Sequence, residues 1–248
     1  MLPLRRSLAP LSARGGSVAV FAPTSIAGLR VWADFSDITT LFQDSAGSTP
    51  VASDGDVIGK FTDLSTNNNH GTQAVTANKP IYKTNIKNGK SVSRYAGDAL
   101  DTPDALNLSA LSLFIVLKDT SNLNTFAHLT SPSTLYFGLS NTGTQKFEVF
   151  AGGAWRVGAA TISNSNFYLV DYLIASGDLR TYVNGTIDMT STAAVTLGGT
   201  YSLQIGGRSD DISDMTGDIA EVLLYDSVLS DANRQLVETY LNTKWAVY

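Results

Sequence analysis

From Gly28 onward, short runs of β-branched and aromatic residues recur along the chain, each closed by a cluster of glycine, asparagine, aspartate or serine. The clearest runs lie at 29–35, 56–64, 111–119, 134–140, 145–151, 154–162, 166–175 and 218–226. Between them stand breaker compositions such as "DSAGSTPVASDGD", "STNNNHGT" and "AGGA", which mark turns because these residues accept the backbone angles that turns need. Strands spaced this closely, without helices between them, describe an antiparallel sandwich or jelly roll rather than a parallel α/β sheet. No fixed period repeats, which counts against a propeller or a β-helix. In "TYVNGT", Asn184-Gly185 joins two such runs, and the pair suits a two-residue hairpin turn in which both central residues take positive φ.

One segment breaks the pattern. Residues 230–245 place Leu236/Val237, Tyr240/Leu241 and Trp245 at helical spacing, with Ser230 and Asp231 suited to its first turn. This predicts one sizeable helix lying against the sandwich.

A chain of 248 residues with 43% hydrophobic and 16% charged residues can bury a full core as one large β domain. The net charge of -5, with lysines and arginines scattered, argues against a nucleic acid partner. With no cysteine there is neither a disulfide framework nor a thiolate metal site. The longest apolar run, 111–117, is too short to cross a bilayer, so no membrane insertion is expected. Residues 1–27 read as an extended N-terminal arm rather than an export signal, because prolines, arginines and a glycine pair interrupt their apolar residues. The domain is expected to fill 28–248.

The second half carries a more particular order: "LRTYVNGTID", "LQIGGRS", an acidic loop, then "GDIAEVLLYDSVLSDANRQLVETYLNTKW". This order resembles the laminin-G-like branch of the concanavalin A-like lectin/glucanase superfamily. The first half, with "LRVWADFSD" and an Asn-His-Gly turn at 69–71, is similar to a variant of that domain found in bacteriophage virion proteins. The resemblance implies an all-β, two-sheet antiparallel jelly-roll sandwich with one C-terminal helix. It also implies a non-enzymatic structural component of a virion, in the tail or decorating the capsid, assembled in the host cytoplasm. In that reading the domain faces outward, and Leu4, Arg5, Arg6, Leu8, Leu11 and Arg14 anchor the arm to neighbouring virion proteins and to copies of the same chain. The alternative is a glycan-binding adhesin or receptor-binding module for host surface polysaccharide.

Glucanases of this superfamily carry their two carboxylates in Glu-x-Asp-x-x-Glu or a close relative. The three glutamates here, Glu148, Glu221 and Glu238, stand in no such motif, so catalysis is not expected. Asp210, Asp211 and Asp214 form a loop whose oxygens suit calcium, although aspartate is also a common turn residue. The loop with Asp44, Asp54 and Asp56 is a weaker version of the same idea. His70 is expected to bond loop backbone, and His128 shows no metal or catalytic pattern around it. Trp32 and Trp245 are expected to close the core, which leaves Trp155, beside the "AGGA" turn, as the candidate for stacking on a sugar.

Overall fold

The alternating run at 29–35 becomes the first strand, β1 (Leu29–Asp34), with Val31 and Ala33 fully buried and Arg30 and Asp34 turned partly to solvent. A period of two makes this division automatic. The computed structural model describes residues 21–120, 124–130, 135–140, 145–207 and 215–248. Short strands β2 (Leu41–Phe42), β3 (Lys60–Phe61) and β4 (Gly71–Thr72) follow, then a hairpin of β5 (Ile81–Lys87) and β6 (Lys90–Ala96). Next come β7 (Leu100–Asp101), β8 (Leu106–Asn107), β9 (Leu111–Asp119), β10 (Asn124–Thr130), β11 (Leu135–Leu139), β12 (Phe147–Ala151) and β13 (Ala154–Val157). The chain closes with β14 (Tyr168–Ala175), β15 (Asp178–Val183), β16 (Thr186–Ser191), β17 (Thr200–Ile205), β18 (Thr216–Tyr225) and the helix α1 (Asp231–Trp245).

Two antiparallel sheets result. The eight-stranded sheet runs β16-β15-β14-β9-β18-β6-β5, with β1 paired to the later part of β18. The ten-stranded sheet runs β13-β12-β11-β10-β17-β7-β4-β3-β2, with β8 on β17. Their inner faces meet in one large core that includes Leu113, Ile115, Phe126, Phe137, Tyr172 and Leu203. This is the expected jelly-roll sandwich, and the pairing of Asp34 with Glu221 joins its early and late strands.

Some local expectations change. The strand expected over 56–64 contracts to Lys60–Phe61, and that over 154–162 to Ala154–Val157. Past Gly158 the backbone leaves β12's edge, and Ala159 and Ala160 donate to the Asp188 carboxylate at 2.9 and 2.6 Å. The hairpin of β5 and β6 is an addition. Its turn, Asn88-Gly89, holds both residues at positive φ (49° and 70°), as does Asn184-Gly185 (51° and 73°) between β15 and β16. Asn184 does more than turn the chain: its Oδ1 accepts from Leu169 N–H at 3.0 Å and ties the hairpin to β14.

Helix α1 lies on the outer face of the eight-stranded sheet. Ser230 Oγ accepts from Asn233 N–H at its start, and Val237, Leu241 and Trp245 are buried against Phe114, Leu169 and Leu223 in a second apolar cluster. Residues 21–27, expected as the end of the arm, pack here too: the Phe21 ring lies 6.0 Å from that of Tyr240, and the Pro23 carbonyl accepts from Tyr225 OH.

Candidate functional site

α1 occupies the outside of one sheet; the outer face of the other carries no helix among the described residues. Strand register writes one row of side chains across it. Trp155 pairs with Phe150, Phe150 with Tyr136, Tyr136 with His128 and His128 with Gln204. The row continues through Asp101, Thr72 and Lys60 to Phe42. Directly paired residues share a face, and the neighbouring row, including Leu41, Phe61, Leu100, Ile205, Ala127, Phe137 and Val149, faces the core. The row is therefore outward along its whole length.

Its first half is an aromatic platform. Trp155 is 43% exposed; its ring stacks near that of Tyr136 (6.1 Å, 24° between planes) and meets Phe150 edge-on at 5.3 Å. Tyr136 in turn stacks on the buried His128 ring at 4.4 Å. Beside Phe150 the Gly152-Gly153 turn and Ala194 to Thr196 border a slot of about 340 Å³. Gly152 sits at φ +56°, and a Cβ there would lie 2.8 Å from the Ala194 carbonyl oxygen, so the turn needs glycine.

The second half is polar. Gln204 is only 9% exposed, and its Oε1 has no hydrogen-bond partner among the described residues. Its amide side chain meets the Asp101 carboxyl, whose proton affinity burial raises and this hydrogen bond partly restores. Beyond Asp101, Thr72, Lys60, Asn68 and His70 line a recess of about 370 Å³. Glu148, one row over beside Gly138 and Val157, is also raised by burial and opposed by a hydrogen bond with Ser140.

Of the site residues expected from sequence, Trp155 stands at the edge of this platform. Asp210, Asp211 and Asp214 lie outside the described residues, as do Leu4, Arg5, Arg6, Leu8, Leu11 and Arg14 of the arm. Among the described residues no group of three metal-ligating side chains occurs. His70 does bond loop backbone, its Nδ1 accepting from Asp63 N–H at 3.0 Å. Sequence reasoning missed Tyr136, His128, Gln204 and Asp101 as neighbours of Trp155; the signal was the period of two along each strand, but the register between strands is not written in any one of them.

Three of the motif segments gather elsewhere, at the join of β1, β18 and α1, whereas "LQIGGRS" gives the row its Gln204. Glu221 is fully buried and accepts four hydrogen bonds: Trp32 Nε1 and Tyr240 OH on Oε1 (both 2.8 Å), Lys244 Nζ and Trp245 Nε1 on Oε2 (both 2.7 Å). Lys244 also pairs with Asp34. The "VWAD", "IAE" and "YLNTKW" segments are thus one fastening, with Trp245 wholly buried and Trp32 partly so.

Comparison with solved structures shows the same fold at low identity. Domain 4 of AbnA, a GH43 extracellular arabinanase from Geobacillus stearothermophilus, solved in complex with arabinotriose, is 17% identical with a TM-score of 0.57, over 84% of this chain and 97% of that one. A GH54 α-L-arabinofuranosidase soaked with a cyclic sulfate inhibitor is 17% identical with a TM-score of 0.58, over 76% of this chain and 51% of that one. Trypanosoma rangeli sialidase in complex with sialic acid is 15% identical with a TM-score of 0.51, over 88% of this chain; the chain spans only 33% of the sialidase. A search of curated proteins finds no match. A family model described as the concanavalin A-like lectin/glucanases superfamily matches residues 96–233, more than half of the chain and most of the strands that build the row. The chain belongs to the concanavalin A-like lectin/glucanases superfamily.

Proposed function

We propose that this chain is a glycan-binding module that lays a saccharide across the outer face of its ten-stranded sheet. The observation that carries the reading is the continuity of the exposed Trp155 platform with the buried, unpartnered Gln204 Oε1. A sugar ring offers an apolar C–H face, which suits an aromatic surface, and a rim of hydroxyl donors, which suits a desolvated acceptor. The arabinanase domain in complex with arabinotriose, alike in fold, supports the reading by analogy. On a glycan array followed by calorimetry, Trp155→Ala is expected to lower affinity at least ~10-fold, a loss of about 1.4 kcal/mol, while the thermal midpoint stays close to that of the parent. Equal binding by the two proteins would sink the proposal.

Binding rather than hydrolysis is favoured by the carboxyls of this face. Glu148 and Asp101 stand on strands four spacings apart in the sheet, which is roughly 19 Å at the usual inter-strand distance. The two glycosidase geometries need about 5 Å or about 6.5–9.5 Å.

The virion setting is a second, finer reading, supported by the phage-like resemblance of the first half and the composition of the arm. In it the arm anchors the module on neighbouring virion subunits and leaves the platform outward. Deleting residues 2–20 is expected to leave a folded chain that no longer joins particles; normal incorporation of the truncated chain would remove the anchoring role.

A further inference from the structure

The row across the ten-stranded sheet changes character halfway, and its far end is built for a different group from the one that stacks. Seven strand spacings separate β13 from β3, roughly 34 Å, so a ligand reaching from Trp155 to Lys60 is a chain of several sugar units. The recess at Lys60 is rich in donors. The Lys60 ammonium has no ion pair among the described residues; its contacts are the Ala46 carbonyl at 3.5 Å and the Phe42 ring at 5.9 Å. Asp44, on the loop that carries Ala46, has both oxygens engaged by Gly47, Ser48 and Thr49. Because His70 Nδ1 accepts from Asp63 N–H, the neutral ring carries its proton on Nε2 and is a donor toward any further partner. Thr72 adds a hydroxyl on the same face, between Lys60 and Asp101.

The one carboxyl lining this recess among the described residues does not offset that balance. Asp101 is bonded by Gln204, and burial disfavours its charge. Its strand lies two spacings from that of Lys60, roughly 10 Å away, and among the described residues no ion pair joins the two. The net charge of -5 on the whole chain repels anions at long range, but at physiological salt such repulsion fades over about 8 Å, whereas a contact with Lys60 survives.

We propose that the Lys60–His70 recess is a subsite for an anionic substituent and that the ligand is an acidic polysaccharide, a glycan carrying carboxylate or sulfate groups several units from the ring stacked on Trp155. This rests on the glycan-binding reading above. It is tested on an array holding neutral glycans beside uronate-, sialate- and sulfate-bearing ones, probed with the full chain and with Lys60→Gln and Trp155→Ala. The expected result is that the bound glycans are acidic, that Lys60→Gln weakens them roughly 10-fold, and that blocking the anionic groups of the bound glycan weakens the parent protein to the same level. Trp155→Ala weakens every bound glycan, acidic or neutral, at least ~10-fold. If only neutral glycans bind, or if Lys60→Gln binds acidic glycans as tightly as the parent, the acidic subsite is overturned while glycan binding stands. If no glycan of either kind binds, both readings fall.

Discussion

Glu221 is the residue on which the join of both chain ends depends. Its carboxylate is fully buried, yet two indole N–H groups, a phenol and an ammonium converge on it. Burial still raises its proton affinity, and the nearby Asp34 adds to that, against the opposing pull of Lys244 and Trp245. Glu221→Gln keeps the shape but turns an amide donor toward donors and leaves the half-buried Lys244 facing Asp34 alone. Breaking a buried pair from one side costs about 3–5 kcal/mol, so urea unfolding is expected to show a loss of that order. A variant within about 0.5 kcal/mol of the parent, the range of ordinary surface substitutions, would show that the network is ornamental. Trp155 is the opposite case, a large exposed side chain whose removal is expected to change binding and leave folding alone.

At the scale of elements, what the sequence revealed followed the strength of local periodicity. The strand at 111–119 and the helix after Ser230 were legible because seven consecutive buried residues, Leu111 to Leu117, and a three-to-four spacing around Val237, Leu241 and Trp245 leave little choice. The hairpin of β5 and β6 was not read as strands, although its Asn88-Gly89 turn carries the same signal as Asn184-Gly185. Its residues alternate lysines with polar groups on a sheet edge, so hydrophobic contrast is weak there. Strand β10 was missed for another reason: "NTFAHLT" has only Phe126, Ala127 and Leu129 as apolar residues and sits between turn-forming segments. That miss mattered for the site, since β10 carries His128 and joins the aromatic half of the row to Gln204 on β17. Trp155 could be singled out from the sequence by its place after a glycine pair. Its partners could not, because they come from β11, β12, β17 and β7, and only pairing register brings residues 101, 136, 150 and 204 into one line. Of the motifs that carried the family resemblance, those on β1, β18 and α1 hold the fold together at Glu221, on the far side of the sandwich from the row, while "LQIGGRS" lends the row Gln204. Most of them specify architecture.

At the scale of the whole molecule, the two outer faces divide the work: α1 seals one, and the other carries the aromatic and polar row. The sealed face also holds Asp171, fully buried on β14 opposite α1, where burial first and the Glu238 carboxyl next push its own carboxyl well above the usual range, against the opposing Arg234. Tyr182 of β15, whose ring faces the Arg234 guanidinium, Asp231 beside Arg234, and Tyr248 beyond the helix also stand around this pair. Asp101, Glu148 and Glu221 shift upward as well, in each case chiefly through burial. Groups raised in the folded state bind protons that the unfolded chain has released. Their stabilisation is therefore fully present below the unfolded values of about 4 and is lost as pH rises through the folded ones. Asp44 and Asp54 act the other way, held low by hydrogen bonds with Ser48 and with Lys83 respectively, so their contribution is present above about pH 4 and disappears as pH falls further. The two sets place the maximum of stability in mildly acid solution, above the carboxylate values of the unfolded chain. The thermal midpoint is expected to fall steadily from there to pH 8, and Asp171→Asn, which fixes the neutral form, is expected to flatten that fall and to raise the midpoint at pH 8 above that of the parent. A midpoint that stays level or climbs between pH 5 and pH 8 would mean that Asp171 and Glu221 are charged without penalty, and that the burial of carboxyls on both faces does not govern how this sandwich responds to acid.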